Sequence, residues 1–151
     1  MLYINFKVEG AEELSRVLGS EDSKLKDFTE PLQKSSDVIL KDIRINFASE
    51  GGLVGGWTPL AEATKIGRIR RGYGGEHSIL VNTGKYKNSF KAMVSSTKTV
   101  IDAWGVAYHK YHQSTETRTS NLPRRATLFL RPEVKAEIQR FFQEYLKFNK
   151  G

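Results

Sequence analysis

Hydrophobic side chains alternate at the start of the chain: Leu2, Ile4, Phe6 and Val8 fall on one face, with Tyr3, Asn5 and Lys7 on the other. That period of two predicts a half-buried strand. Gly10 ends it, and AEELSRVLG reads as a short helix closed by Gly19. The strongest helical pattern covers residues 24–48. Leu25, Phe28, Leu32, Ile39, Ile43 and Phe47 recur at spacings of three, four and seven, giving one apolar stripe. Proline is tolerated only near a helix start, where its missing N–H has no partner to lose. Pro31 therefore sets the beginning of the regular helix at Thr29 or just after, and SEGGLVGG stops it.

Periodicity is lost over residues 50–78, which read as loop with a helical turn in LAEATKIGRI. The glycines of RRGYGGEHS mark its loosest part. A connection of this length without regular structure is usually functional, or orders on assembly. Next, ILVNTG predicts a brief extended piece that turns at Gly84, and TGKYKNSF a short helix capped by Thr83. FKAMVSS and TVIDAWG read as two strands of a hairpin joined at SSTK. VAYHKYHQ is helical and ATLFL a strand. Pro132 then opens a helix in which Val134, Ile138, Phe141, Tyr145 and Phe148 keep a 3–4 spacing. The expectation is a single α+β domain over residues 1–151. A small antiparallel β-sheet is packed by the long helix and the C-terminal helix, with a long flexible central loop.

The length of 151 residues suits one hydrophobic core. Apolar residues make up 38% and charged residues 27%, so the chain reads as globular and polar for its size. No apolar run approaches the roughly 20 residues of a membrane span. MLYINFKVEG lacks the basic and apolar regions of a secretory signal, so the expectation is a protein made and kept in a cytoplasm. Without cysteine there are neither disulfides nor thiolate zinc sites.

Charge changes the picture more. Residues 1–50 carry seven Lys/Arg against ten Asp/Glu, and the remainder 17 against seven. From Lys65 to Lys91 there are seven basic groups, opposed only by Glu76. Such asymmetry suggests a surface facing an anionic partner, nucleic acid or an acidic protein face. A solvated basic surface has the same composition. Within it, KIGRIRRGYGG sets Lys65, Arg68, Arg70 and Arg71 beside Tyr73, a combination able to neutralise phosphates and stack on a base. No helix-turn-helix, RNA-binding or zinc-finger pattern accompanies it.

Candidate chemistry is sparse. His109 and His112 on one helix could reach a common metal, but zinc takes three or four ligands. His77 is the only other histidine, and neither Asp102 nor Glu116 stands at a motif spacing. The expectation is no bound metal, with one histidine packed or hydrogen-bonded and the other exposed. ILVNTGKY fails as a phosphate loop, because Ile79 stands where glycine is needed and Tyr86 where Ser or Thr would hold magnesium. GGLVGG follows a helix and lacks the dinucleotide-binding spacing. Neither a catalytic set nor a cofactor site is expected. Trp57, in GGWTPLAEATK, reads as an anchor of its loop on the core, with a subunit-interface anchor as the alternative.

Four fragments, in order, resemble the phage virion-morphogenesis family, which includes tail-completion proteins and Mu-like G proteins. A long helix ends at Phe47 and runs through a glycine-rich link into GWTPLAEATK, with Trp57, Pro59 and Leu60. ILVNTGKYKNSF, with Thr83, Gly84 and Ser89, is similar to an apolar-x-T-G-x-[aromatic or Leu]-x-x-S motif. WGVAYHKYHQ ends in the family's His-Gln element at His112 and Gln113. LPRRATLFL, with Pro123 and Arg125, is like its proline-arginine-aromatic-Leu element. Ser114 and Thr115 replace the family's aromatic and glycine, and the spacing after Arg125 is slightly longer. The resemblance implies that the His-Gln stretch is a structural element beside the sheet, where both side chains satisfy nearby backbone. It implies a non-enzymatic role in tail completion or head–tail joining, as a homo-oligomer forming a ring. The partners would be other tail or connector proteins, first in the host cytoplasm and then in the virion. The competing expectation is a basic nucleic-acid-binding protein contacting DNA through residues 65–91; a metal-dependent hydrolase comes third.

Overall fold

The computed structural model describes residues 2–4, 27–73, 78–113 and 122–148. In chain order they form strand β1 (Leu2–Ile4), helices α1 (Thr29–Ala48) and α2 (Glu62–Arg70), and strands β2 (Phe90–Val94) and β3 (Thr99–Ala103). Helices α3 (His109–Gln113) and α4 (Pro132–Phe148) follow, and single 3-10 turns lie at Gly52–Val54 and Lys87–Ser89. The class is α+β. The strands make an antiparallel sheet in the order β1-β3-β2, with Leu2 opposite Ile101 and Ile4 opposite Thr99. The predicted hairpin, with its turn at 95–98, is present. Phe6, Val8, Leu25 and the helix expected over 11–19 lie outside the described residues.

Contacts gather the chain into two compact units, one of Met1–Ile39, Ala92–Ile101 and Leu130–Gly151, the other of Leu40–Lys91 and Asp102–Phe129. The first is organised by apolar helix faces. Helix α1 starts at Thr29, as Pro31 requires, and Asp27 Oδ1 accepts the Thr29 N–H at 2.9 Å. Leu32 and Ile39 from α1, Ile101 from β3, and Val134, Ile138 and Phe142 from α4 are buried. The α4 stripe thus passes through Phe142 rather than the expected Phe141, because four residues on from Ile138 return to the same face. Phe28 packs on Phe142 at 5.9 Å and on Tyr145 at 6.1 Å between ring centroids. Two fully buried serines in α1 bond back to the carbonyls four residues earlier, and Ser36 Oγ also meets Thr99 Oγ1 at 2.8 Å.

The second unit includes the last turns of α1, from Leu40 to Ala48. Gly51 has φ 89° and donates its N–H to Asn46 O at 2.8 Å, terminating the helix. Its lack of a side chain matters twice, since a Cβ there would lie 2.4 Å from Trp57 Cδ1. Three expectations need correction here. Residues 50–78 are less loop-like than periodicity suggested, holding the Gly52–Val54 turn and a nine-residue helix, α2. ILVNTG is not extended, because Leu80 takes φ 61° and Gly84 φ 76°, and the chain then closes into the 3-10 turn Lys87–Ser89 in place of a Thr83-capped helix. ATLFL pairs with no described strand. A segment without a ladder must find other partners for its backbone groups. For residues 126–128 those partners are side chains.

Candidate functional site

The residues that supply them converge on Tyr86, which is 3% exposed. Gly84 turns the chain, Asn88 N–H bonds Gly84 O at 3.0 Å, and buried Ser89 gives its hydroxyl to Tyr86 O at 2.7 Å. Thr83 Oγ1 accepts from Lys85 N–H at 3.4 Å. This tight turn drives the Tyr86 ring inward against Phe47, Phe90, Tyr108, His109 and His112, with centroids 5.4–5.8 Å away.

From the Tyr86 hydroxyl a buried polar chain runs outward both ways. His109 Nδ1 lies 2.7 Å from it and Thr127 Oγ1 2.9 Å. Thr127 Oγ1 donates to Gln113 Oε1 at 3.1 Å. That carboxamide oxygen also accepts the N–H groups of Thr127 at 2.9 Å and Leu128 at 3.1 Å, while its NH2 donates to Leu128 O. Gln113 therefore replaces the missing strand neighbour. Hydrogen counting orients the whole chain. Thr127 has spent its one proton on Gln113, so Tyr86 donates to Thr127 and His109 donates from Nδ1 to Tyr86. His109 Nε2 then faces Asp102 Oδ1 at 3.6 Å, beyond hydrogen-bond range. Burial pushes the His109 pKa below 6.5, with Asp102 pulling the other way, and burial raises that of Tyr86. Both groups are neutral at pH 7.

The loop after α1 is fastened to the same segment. Trp57 is buried, meets Phe47 edge-on at 5.3 Å, and donates its indole N–H to Ala126 O at 2.9 Å. Asn46 Nδ2 donates to that same carbonyl at 3.1 Å, and Asn46 Oδ1 receives Leu53 N–H. Arg125 is buried and grips Thr58 O at 3.0 and 2.9 Å and Pro59 O at 3.3 Å; burial lowers its pKa, with Arg68 adding to the effect. Its N–H bonds His112 O at 3.0 Å. Leu60 and Pro123 are half-buried beside these contacts in sequence.

Trp57, Gly84, Ser89, Gln113 and Arg125, scattered through the chain, are thus parts of one arrangement. Both paired histidines are buried, so the expectation that one would be exposed does not hold. Among the described residues no group of three or more His, Asp or Glu side chains is placed to hold a metal; His77 and Glu116 lie outside them. Sequence reasoning passed over Asn46, Gly51, Tyr86 and Thr127 as site residues. Tyr86 had a signal, its place between Gly84 and Ser89. Thr127 and Asn46 had none.

The basic set divides. Lys65 is paired with Glu62, and Arg68 is buried with a 3.4 Å bond to Ser78 O. Arg70, Arg71 and Tyr73 are exposed, as are Ile66 and Ile69. Arg68 therefore does not belong to the outward surface that the sequence suggested.

No family model matches the chain, and neither a curated protein nor a solved structure does.

Proposed function

We propose that the chain is a non-enzymatic structural or assembly protein of a tailed phage, acting in tail completion or head–tail joining through ring-like self-association. One observation carries the reading. The fragments that resemble the virion-morphogenesis family, far apart in sequence, are bonded to one another through their own motif residues: Trp57 to Ala126, Arg125 to Thr58 and Pro59, Gln113 to Thr127 and Leu128. A motif set that builds a scaffold favours a shape-giving role over chemistry. The Tyr86, Thr127, Gln113 and Arg125 polar groups are engaged with backbone and with each other, while His109 Nε2 faces Asp102 Oδ1 at 3.6 Å without a hydrogen bond. Of the 65–91 region, the Lys65–Tyr73 stretch is less favoured for nucleic-acid contact, because Arg68 is turned inward and Lys65 is paired.

Electron microscopy of the purified protein, alone and mixed with tails, tests this. Rings, or density added at a tail end, are the expected result. Particles that stay monomeric and leave tails unchanged would overturn it.

A further inference from the structure

A second surface of the Tyr86 unit is not explained by holding the fold. Trp104, Tyr108 and Tyr111 are 40%, 44% and 47% exposed, although large rings are ordinarily well covered. Their backs are fixed. Trp104 donates its backbone N–H to Ser89 O at 3.0 Å and its indole N–H to Lys91 O at 3.3 Å, so what it leaves outward is ring. Tyr108 rests edge-on against Tyr86 at 5.4 Å and His112 at 6.2 Å. Tyr111 comes one turn later, bonded through its N–H to Tyr108 O, with Lys110 Nζ 5.1 Å from its ring centroid.

Segments 84–91, 104–113 and 122–125 are tied together by these contacts, by Arg125 N–H on His112 O and by Arg124 Nε on Gln113 O. They carry exposed Lys85, Lys87, Lys91, Lys110 and Arg124, and not one carboxylate. Part-exposed rings among cations suit a polyanion that has flat apolar faces of its own. A single nucleic-acid strand offers both, whereas a duplex hides its base faces in the stack. An acidic peptide would answer the cations and leave the rings unused. The three segments themselves hold no carboxylate for a ribose 2′-hydroxyl, the group by which RNA is told from DNA, and the described carboxylate next to them in sequence, Asp102, is 17% exposed and faces His109.

We propose that Trp104, Tyr108 and Tyr111, with the cations around them, form a platform for single-stranded DNA, independent of base sequence. It is distinct from the Lys65–Tyr73 stretch and does not depend on the assembly reading.

A labelled oligothymidylate of roughly 15 nucleotides, within the usual site sizes, is the probe. Anisotropy should show binding at low salt that weakens as log salt rises, with a slope of about 0.7 per cation engaged. Of the two tryptophans, Trp57 is only 6% exposed, so stacking should quench Trp104 fluorescence. Trp104→Phe should abolish that quenching while binding persists. Tyr111→Ala removes an exposed ring and spares the fold, as its melting should confirm, yet should weaken binding roughly tenfold. Absence of binding at low salt would overturn the proposal, as would binding without quenching. So would displacement by heparin as effective as by unlabelled oligothymidylate, which would reveal charge alone. Tighter binding of duplex, or of oligouridylate, would assign the surface to a different nucleic acid.

Discussion

The two compact units solve the same problem with different means. In the unit built on residues 1–39, 92–101 and 130–151, helix faces supply the order: Leu32, Ile39, Ile138 and Phe142 are buried, and single long-range polar contacts such as Ser36–Thr99 and Tyr145 hydroxyl to Asp27 O supplement them. In the unit of residues 40–91 and 102–129, long stretches have neither helix nor strand, and side chains do what a ladder would do. Charge divides the same way. The first unit's sequence has 11 basic and 11 acidic residues, the second 13 and six, so the whole net charge of +7 belongs to the second. Apolar burial is non-directional and tolerates exchange, whereas hydrogen bonds to a coil fix one geometry. A chain that must present loops in set positions needs the second kind.

The largest effect is expected at Trp57. Trp57→Ala empties a site against Phe47 and removes one of the two donors to Ala126 O, and should cost about 3–5 kcal/mol in urea melts. An unchanged midpoint would show that the ring does not anchor its loop, and would return Trp57 to an interface role.

The comparison sharpens at the polar contacts. Gln113→Leu keeps the volume but leaves the Thr127 and Leu128 N–H groups and Leu128 O without their partner. About 1–3 kcal/mol should be lost. In the other unit, Ser36→Ala with Thr99→Val removes both members of a buried hydroxyl pair at once and should be nearly neutral. If denaturant midpoints show the double variant losing as much as Gln113→Leu, the contrast between the units fails.

A smaller effect follows from His109. Its folded pKa lies below 6.5, chiefly through burial. The folded state therefore resists a proton that the unfolded chain accepts. Its contribution is full above 6.5 and is lost as pH falls from there toward the depressed folded value, where the loss levels off. Stability measured between about pH 7 and pH 5 should fall, the range in which histidines titrate, and His109→Gln should flatten that slope whatever its own stability. An unaltered slope would place the titrating group elsewhere.

Much of the first unit was legible because periodicity encodes burial directly. The α1 stripe, the start imposed by Pro31, the hairpin and the Pro132 helix all followed from spacing. The second unit was read less well. ATLFL has the composition of a strand, but Gln113 satisfies its backbone, and no local pattern announces a partner 14 residues away. Leu80 at φ 61° adopts a backbone region uncommon for a side chain of its kind, and no residue pattern announces it. Helix α2 inverts the expected order, exposing Ile66 and Ile69 while burying Arg68, whose guanidinium lies 3.4 Å from the Ser78 carbonyl. Trp57 stood out by its glycine-flanked loop and His112 by its pairing with His109, while Gln113 and Arg125 were identified by resemblance; the geometry joining them depends on tertiary contacts.

That inversion sets the smallest expected effect. Arg70 and Arg71 are exposed near the end of α2, and Arg71 Nε reaches only as far as Gly67 O, at 3.1 Å. Replacing both with Ser should change stability by about 0–1 kcal/mol, as exposed charges do. Arg68→Ser is a different experiment, since it removes a buried stem as well as a charge, and should cost more, about 1–3 kcal/mol. If the outward arginines serve the proposed assembly role, Arg70→Ser/Arg71→Ser should melt like wild type yet fail to complement, giving heads and tails unjoined. Arg68→Ser should fail, if at all, in step with its lost stability. Equal melting losses in both variants would mean that α2 is not oriented as described. Full complementation by the stable double variant would remove these two arginines from the assembly surface and leave the second unit's charge to other partners.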